Sequence, residues 1–341
     1  MKLSKPVKAA LLAALVANPI TMGAAVGTHR AEAKGYKILF ITKIKGISVF
    51  ADVKAGGAAA AKANGDTFEQ IDPPDANASS QVQIINTEAA KGWDAMGISA
   101  NDPTVGNAFT QAGVKSFTWD SDVLPSTRTV FVNQVSEDVV GTSLLQIAGK
   151  QINYTGGWAI LSATPTSTNQ NTWIAFMKKE AMKPQYKNMK LIKVAYGGDV
   201  PDKSFTEAQA LLQNPAIKVI ISPTSVGIVQ AARAIEVAHL TGKVQLTGLG
   251  FAKDMRKYIL DGTATQVGLW SFYNLGYLSE EIGHAIAAGT FHGKIGETVK
   301  VGSLGTRTVA KNVLSGGAQV LLGPLDIYTK ANVDAYIAKG G

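Results

Sequence analysis

The chain has 341 residues, 46% of them hydrophobic and 17% charged. That length and balance accommodate two domains with separate cores and exclude long disorder. With no cysteine, disulfides, thiolate metal sites, a cysteine nucleophile and a lipidated-cysteine anchor are all excluded. The formal charge is +8, but the lysines and arginines are scattered and form no stripe, so the sequence offers no nucleic-acid surface.

Residues 1–33 read as a secretory signal peptide. Lys2, Lys5 and Lys8 form a basic start, Ala9 to Ala25 is apolar but broken by Asn18 and Pro19, and Ala31-Glu32-Ala33 offers a small-x-small cleavage site. The apolar run is too short and interrupted for a membrane anchor. Without the leader's three net positive charges, residues 34–341 carry +5. No later segment has the continuous apolar length to span a bilayer.

Beyond the leader, apolar β-rich runs alternate with helix-like stretches. Lys37 to Ile44 reads as a buried strand and the alanine-rich Ala51 to Ala63 as the helix behind it. Further strands are expected at Ala95–Ala100 and Val114–Trp119, with helices near 79–91 and 103–112. The pattern repeats with strands at Trp158–Ala163, Leu191–Ala195, Val219–Ser222 and Val244–Gly248. Such alternation predicts an α/β fold of two lobes, each a parallel sheet covered by helices on both faces, dividing near residue 134. No Pro- or Ser-rich linker separates them, which favours short strand-like crossings.

In open parallel sheets ligands bind beyond the carboxyl ends of strands. Asp120, Ser121 and Asp122 follow one strand, Thr164 to Gln170 a second, and Pro223-Thr-Ser225 a third. Polar residues thus stand at strand ends of both lobes, as a cleft between lobes requires.

Catalytic signatures are missing. His29 lies in the leader, and His239, His284 and His292 stand alone without metal-ligand spacing. There is no phosphate-loop or nucleophile-elbow motif, and Gly248-Leu-Gly250 lacks the third glycine of a dinucleotide fingerprint. Asp120 and Asp122 are two carboxylates, but glycoside hydrolysis needs them on opposite sides of the bond. Neighbours on one loop do not supply that, and no second carboxylate is apparent at the other lobe's strand ends. No enzyme, cofactor or metal is expected.

Several long segments resemble one family. They are Thr118-Trp-Asp-Ser-Asp122, Ser162 to Trp173, Asp202-Lys-Ser204 with Glu207-Ala-Gln209, Pro223-Thr-Ser-Val-Gly227 and the tail Asp326 to Asp334. Together they are similar to the type I periplasmic sugar-binding proteins of ABC transporters, closest to the rhamnose-binding branch and near the autoinducer-2-binding branch. The likeness runs from about Tyr36 to Tyr336. It implies two similar Rossmann-like lobes, doubly wound parallel sheets, joined by a three-crossing hinge. The crossings would fall near Asn133–Gln134, Leu269–Trp270 and Leu322–Pro324. The lobes would comprise residues 34–133 with 271–322, and 134–270 with 323–341. It further implies a monomeric periplasmic receptor, not lipid-anchored, that takes a small neutral sugar (best matched to rhamnose) and hands it to ABC permease subunits.

By the same resemblance Lys43, Asp120, Asn169, Gln170, Pro223 and Ser225 are ligand-binding. Three departures from the autoinducer-2 and pyranose patterns stand out. Asn169 replaces an acid, Ser225 replaces an alanine, and Gly250 stands where pyranose binders often carry an acid. The chemistry is independent of the family: Asp120 accepts from hydroxyls, Asn169 and Gln170 donate and accept, and Lys43 donates while offsetting the Asp120 charge. Each has an ordinary alternative: an exposed strand-end lysine for Lys43, a turn or cap for Asp120, helix capping for Asn169 and Gln170. Aromatic walls suit the C–H face of a sugar. Phe50 and Trp270 are assigned to the cleft and Trp119 and Trp93 to the core, with Trp173 open between the two. Three other readings remain: an autoinducer-2, pentose or polyol receptor; a regulator, disfavoured by a leader where a DNA-binding helix-turn-helix would stand; and a glycan-processing enzyme.

Overall fold

The computed structural model describes residues 35–338, and the signal peptide read at residues 1–33 lies outside them. In chain order the first stretch is β1 (Lys37–Ile41), α1 (Ser48–Asn64), β2 (Thr67–Ile71), α2 (Ala78–Glu88), β3 (Ala95–Ile98), α3 (Gly106–Ala112), β4 (Ser116–Trp119) and β5 (Phe131–Asn133). The second is α4 (Glu137–Gln151), β6 (Thr155–Ser162), α5 (Thr168–Glu180), β7 (Asn188–Tyr196), α6 (Pro201–Leu212), β8 (Ile217–Ser222), α7 (Ser225–Val237), β9 (Gln245–Gly248), α8 (Ala252–Leu260) and β10 (Gln266–Leu269). There follow α9 (Phe272–Ala287), β11 (Thr298–Lys300), β12 (Thr306–Thr308), β13 (Ala310–Lys311), β14 (Ala318–Leu321), β15 (Asp326–Thr329) and α10 (Val333–Ala338).

Two sheets result. The first has the order β13-β14-β5-β4-β3-β1-β2 and the second β7-β6-β8-β9. In both, the chain winds outward one way and then the other, so the order reverses beside the first strand, between β1 and β3 and between β6 and β8. Those reversals open crevices at the carboxyl ends, where ligands bind in doubly wound folds. Pairing is parallel within both cores. The margins depart from the all-parallel expectation: β13 pairs antiparallel with β14, β10 with β15 and β11 with β12. The chain passes between the two sides three times, from β5 to α4, from β10 to α9 and from β14 to β15.

The residues of β1 show why the sheet is buried on both faces. Alternate side chains point to opposite sides, and Ile38, Leu39, Phe40 and Ile41 are all fully buried. Ile38 and Phe40 join the main core beneath α1 and α9. Leu39 and Ile41 join a second core with Ile85 of α2 and Phe109 of α3. The strand stops at Ile41, earlier than the apolar run predicts, so Lys43 lies beyond its tip and not within it. β2 was invisible to pattern because it is a half-exposed edge strand with no buried apolar run. Trp93, assigned above to the core, is only half-buried at the rim of the second core. Lys37 Nζ lies 5.1 Å from its ring centroid, and its Nε1 donates to Glu88.

α9 is held to the first sheet by a close crossing with α1. A Cβ on Gly56 would sit 1.9 Å from the carbonyl oxygen of Tyr273, and one on Gly276 would sit 2.0 Å from that of Val53. Only glycine allows the two backbones so near. On the same helix Glu280 is fully buried, with Asn64 Nδ2 3.3 Å from its carboxylate. Burial, together with the adjacent Asp66, pushes its pKa up to about 9. Glu280 is therefore protonated in the folded protein at neutral pH but ionised when unfolded. Its contribution is fully present below the unfolded value near 4.5 and is lost as pH rises toward 9. Glu280→Gln keeps the shape and removes the titration. It should raise the denaturation midpoint at about pH 8 by the equivalent of about 5 kcal/mol and change little near pH 4.5. A variant destabilised equally at both pH values would show that the carboxyl is not held neutral.

Candidate functional site

The tips of the two sheets face each other. Gln81 of α2, fully buried, ties the tips of β1 and β3 together by donating to Thr42 O (2.8 Å) and Ser99 O (2.7 Å). Its own oxygen accepts from Asn101 N (2.8 Å), and Asn101 Nδ2 donates to Lys43 O (2.8 Å). This network fixes Lys43, which is only 6% exposed. Asp120 follows β4 with φ of 60°, a left-handed conformation that Asp tolerates better than most residues. Ser99 Oγ donates to its Oδ2 at 2.6 Å.

From the other sheet, the loop after β6 and the first turn of α5 reach back. Lys43 Nζ donates to Asn169 Oδ1 (3.1 Å) and Ser167 Oγ (3.2 Å), and lies 3.9 Å from Asp120 Oδ2. Asn169 Nδ2 points to Asp120 at 3.4 Å, while its Oδ1 also accepts from Gln170 N at 2.8 Å. Asn169 therefore pairs a first-turn amide of α5 and at the same time bridges the two lobes. Gln170 commits its carboxamide oxygen to the β6 tip, accepting from Ser162 Oγ (2.6 Å) and Ala163 N (2.8 Å). That leaves its amide nitrogen for a further partner.

All nine residues named from sequence line one cavity: Lys43, Phe50, Asp120, Asn169, Gln170, Trp173, Pro223, Ser225 and Trp270. The cavity leaves about 60 Å³ for the centres of water-sized groups. Trp173 and Trp270 meet edge to face with centroids 5.8 Å apart, and Trp270 continues to Phe272 at 5.7 Å. Phe50 stands edge to face with Trp119 at 6.0 Å. Trp119 itself is fully buried behind Phe50 and does not line the cavity.

One expectation about carboxylates requires correction. The second lobe does present one: Asp199, after β7, lines the cavity and accepts from Thr224 Oγ1. Burial raises its pKa and the Asp120 charge adds to the rise, opposed by the Thr224 hydrogen bond and Lys43. Like Asp120, it sits at positive φ, 53°, so strained backbone carries both acids of the site. It was missed because Gly197-Gly198-Asp199 reads as a turn with no chemistry. Asp122, by contrast, faces away from this cavity and is consumed by Arg128, with Nε–Oδ1 of 2.7 Å and Nη2–Oδ2 of 2.6 Å. Ser99, Gln81 and Asn101 were also missed, since single polar residues at strand tips carry no spacing signal.

Comparison with known proteins agrees with this geometry. The sequence matches the periplasmic binding protein domain over residues 38–290, and the chain belongs to that family. Among solved structures, an ABC transporter solute-binding protein from Clostridium phytofermentas with bound L-rhamnose shares 30% identity. It covers 90% of this chain and 99% of its own, with a TM-score of 0.86. A sugar ABC transporter protein from Actinomyces odontolyticus shares 37% identity over 89% of this chain and 99% of its own, with a TM-score of 0.68. LsrB from Clostridium saccharobutylicum, in complex with AI-2, shares 26% over 88% of this chain and 99% of its own, with a TM-score of 0.81. The chain thus has the fold of the sugar ABC transporter solute-binding proteins. Among the described residues no helix is long and apolar enough to cross a membrane.

The Asp122–Arg128 pair gives a stability prediction. Arg128→Met should leave a buried, unpaired carboxylate and lower stability by about 3–5 kcal/mol, measured by urea denaturation. Adding Asp122→Asn to that variant should recover part of the loss. A single variant as stable as the parent would contradict the structural role assigned to this pair.

Proposed function

We propose that this protein is the receptor of an ABC sugar importer, and that it takes one small neutral sugar, L-rhamnose, between its lobes. In this reading the signal peptide is cleaved and the receptor works as a free monomer in the periplasm. The observation that carries the reading is the cavity in which strand-tip side chains of both lobes converge: Lys43 and Asp120 from one, Asn169, Gln170 and Asp199 from the other. A sugar hydroxyl both donates and accepts. The carboxylates accept hydroxyl protons through charge-assisted hydrogen bonds, and Lys43 and the amide nitrogens donate to the oxygens. Phe50, Trp173 and Trp270 cover the apolar C–H face and the 6-methyl group, which gains about 0.8 kcal/mol per buried carbon.

Closure follows from the same residues. The lobes (34–133 with 271–322, and 134–270 with 323–341) turn about the three crossings, and a ligand that touches both favours the closed form over the open one. That form presents the surface the permease subunits read. Nothing in the mechanism breaks a bond of the sugar. Asp120 and Asp199 do flank the cavity from opposite lobes, but both are tied into hydrogen bonds with Ser99 and Thr224 that suit holding a hydroxyl. The receptor reading therefore excludes turnover.

The test is a thermal-shift panel of L-rhamnose, fucose, ribose, xylose, erythritol and autoinducer-2. A ligand at about 100 times its Kd adds about 2.7 kcal/mol of apparent stability. L-Rhamnose should give the largest shift, and Asp120→Ala should abolish it. A larger shift with autoinducer-2 would move the assignment to the branch represented by LsrB, which shares 26% identity. An undiminished shift in Asp120→Ala would remove Asp120 from the site.

A further inference from the structure

A second cavity lies on the far side of Asn169 and Trp173, which line both spaces. It leaves about 180 Å³ for the centres of water-sized groups, against about 60 Å³ in the first. Its walls again come from both lobes. The apolar side is Val123, Leu124 and Pro125 after β4, Phe131 of β5 and Leu314 from the loop between β13 and β14. The polar side is Asn133 at the end of β5, Glu137 opening α4, and Thr168 with Trp173 on α5.

Four polar atoms of that side are buried without a hydrogen-bond partner: Asn133 Oδ1, Glu137 Oε2, Thr168 Oγ1 and Trp173 Nε1. Asn133 is fully buried and Glu137 is 6% exposed. Each is fixed through its other atom, Asn133 Nδ2 donating to Gln319 Oε1 (2.9 Å) and Asn312 Nδ2 donating to Glu137 Oε1 (2.6 Å). Buried polar groups are almost always paired, so four unpaired around one cavity point to something that pairs them. The occupant's charge is constrained as well. No basic side chain lines the cavity, and Asp122 is already paired with Arg128, while burial raises the Glu137 pKa against the Asn312 hydrogen bond, so the wall offers no cation to an anionic occupant.

We propose that this cavity is a second ligand site, for a small uncharged molecule with an apolar body and at least two hydroxyl groups. Its occupancy is coupled to the first cavity through the shared wall of Asn169 and Trp173. The body lies against Phe131 and Leu314, and the hydroxyls pair with Glu137, Asn133, Thr168 and the Trp173 indole. Because its walls belong to both lobes, a ligand here favours the closed form as the sugar does. The coupling, though not the binding itself, rests on the sugar-receptor reading.

The probes are 1-phenyl-1,2-ethanediol and cis-1,2-cyclohexanediol, titrated calorimetrically into the full protein with and without saturating L-rhamnose. A diol should bind in both conditions. Leu314 is 58% exposed, so Leu314→Trp can fill the cavity without disturbing the core, and it should abolish diol binding together with the diol's effect on L-rhamnose affinity. Thr168→Val, nearly isosteric, should weaken the diol several-fold. A bound diol should raise L-rhamnose affinity about fivefold, with the reciprocal effect on the diol. Failure of both diols to bind, or equal binding by Leu314→Trp, overturns the site and leaves it to ordered water. L-Rhamnose affinity indifferent to bound diol overturns the coupling. A diol that binds a protein indifferent to L-rhamnose keeps the site and rejects the sugar reading.

Discussion

The contact on which the site depends is the one between Lys43 and the first turn of α5. A lysine ammonium held at 6% exposure needs partners close by, because an isolated buried charge is far too costly. Asn169, Ser167 and Asp120 supply them, and two of the three stand on the opposite lobe. The interlobe gap is therefore closed by polar groups that any hydroxylic ligand can join. An apolar gap of the same size would grip a sugar poorly, and a gap with a lone charge would not stay dry.

Everything that positions Lys43 is local to strand tips. Gln81 joins β1 to β3, Asn101 holds the Lys43 carbonyl, and Ser99 orients Asp120. None of these three residues has to touch solute; they decide where the side chains that do so point. The left-handed backbone at Asp120 and Asp199 belongs to the same scheme. It turns each carboxylate into the crevice at the end of its strand, and the surrounding hydrogen bonds hold the strained conformation in place.

The α/β class, the two lobes and most central strands could be read from alternating apolar runs, because a strand buried on both faces writes itself as an uninterrupted run such as Ile38 to Ile41. β2 could not, since an edge strand buries too little to leave a pattern. The cavity residues fell into two groups. Long polar clusters after β6 and β8 announced themselves by composition. Asp199 did not, because a glycine-flanked acid looks the same in a surface turn and in a binding crevice; only packing distinguishes them. Asp122 was the converse. Two residues from Asp120 in the chain, it turns to Arg128 and belongs to the framework. Trp119 and Trp270, assigned from sequence to the core and to the cleft, stand one behind Phe50 and one on the wall.

The central claim is that one hydroxylic solute is held jointly by the two sheets' strand tips. A crystal structure of the protein grown with L-rhamnose tests it most directly. The account places the sugar between Asp120 and Asn169, its hydroxyls within hydrogen-bond distance of Lys43 and Asp199 and its ring against Trp270. A sugar found bound to one lobe alone, with Lys43 and Asn169 out of reach, would contradict it.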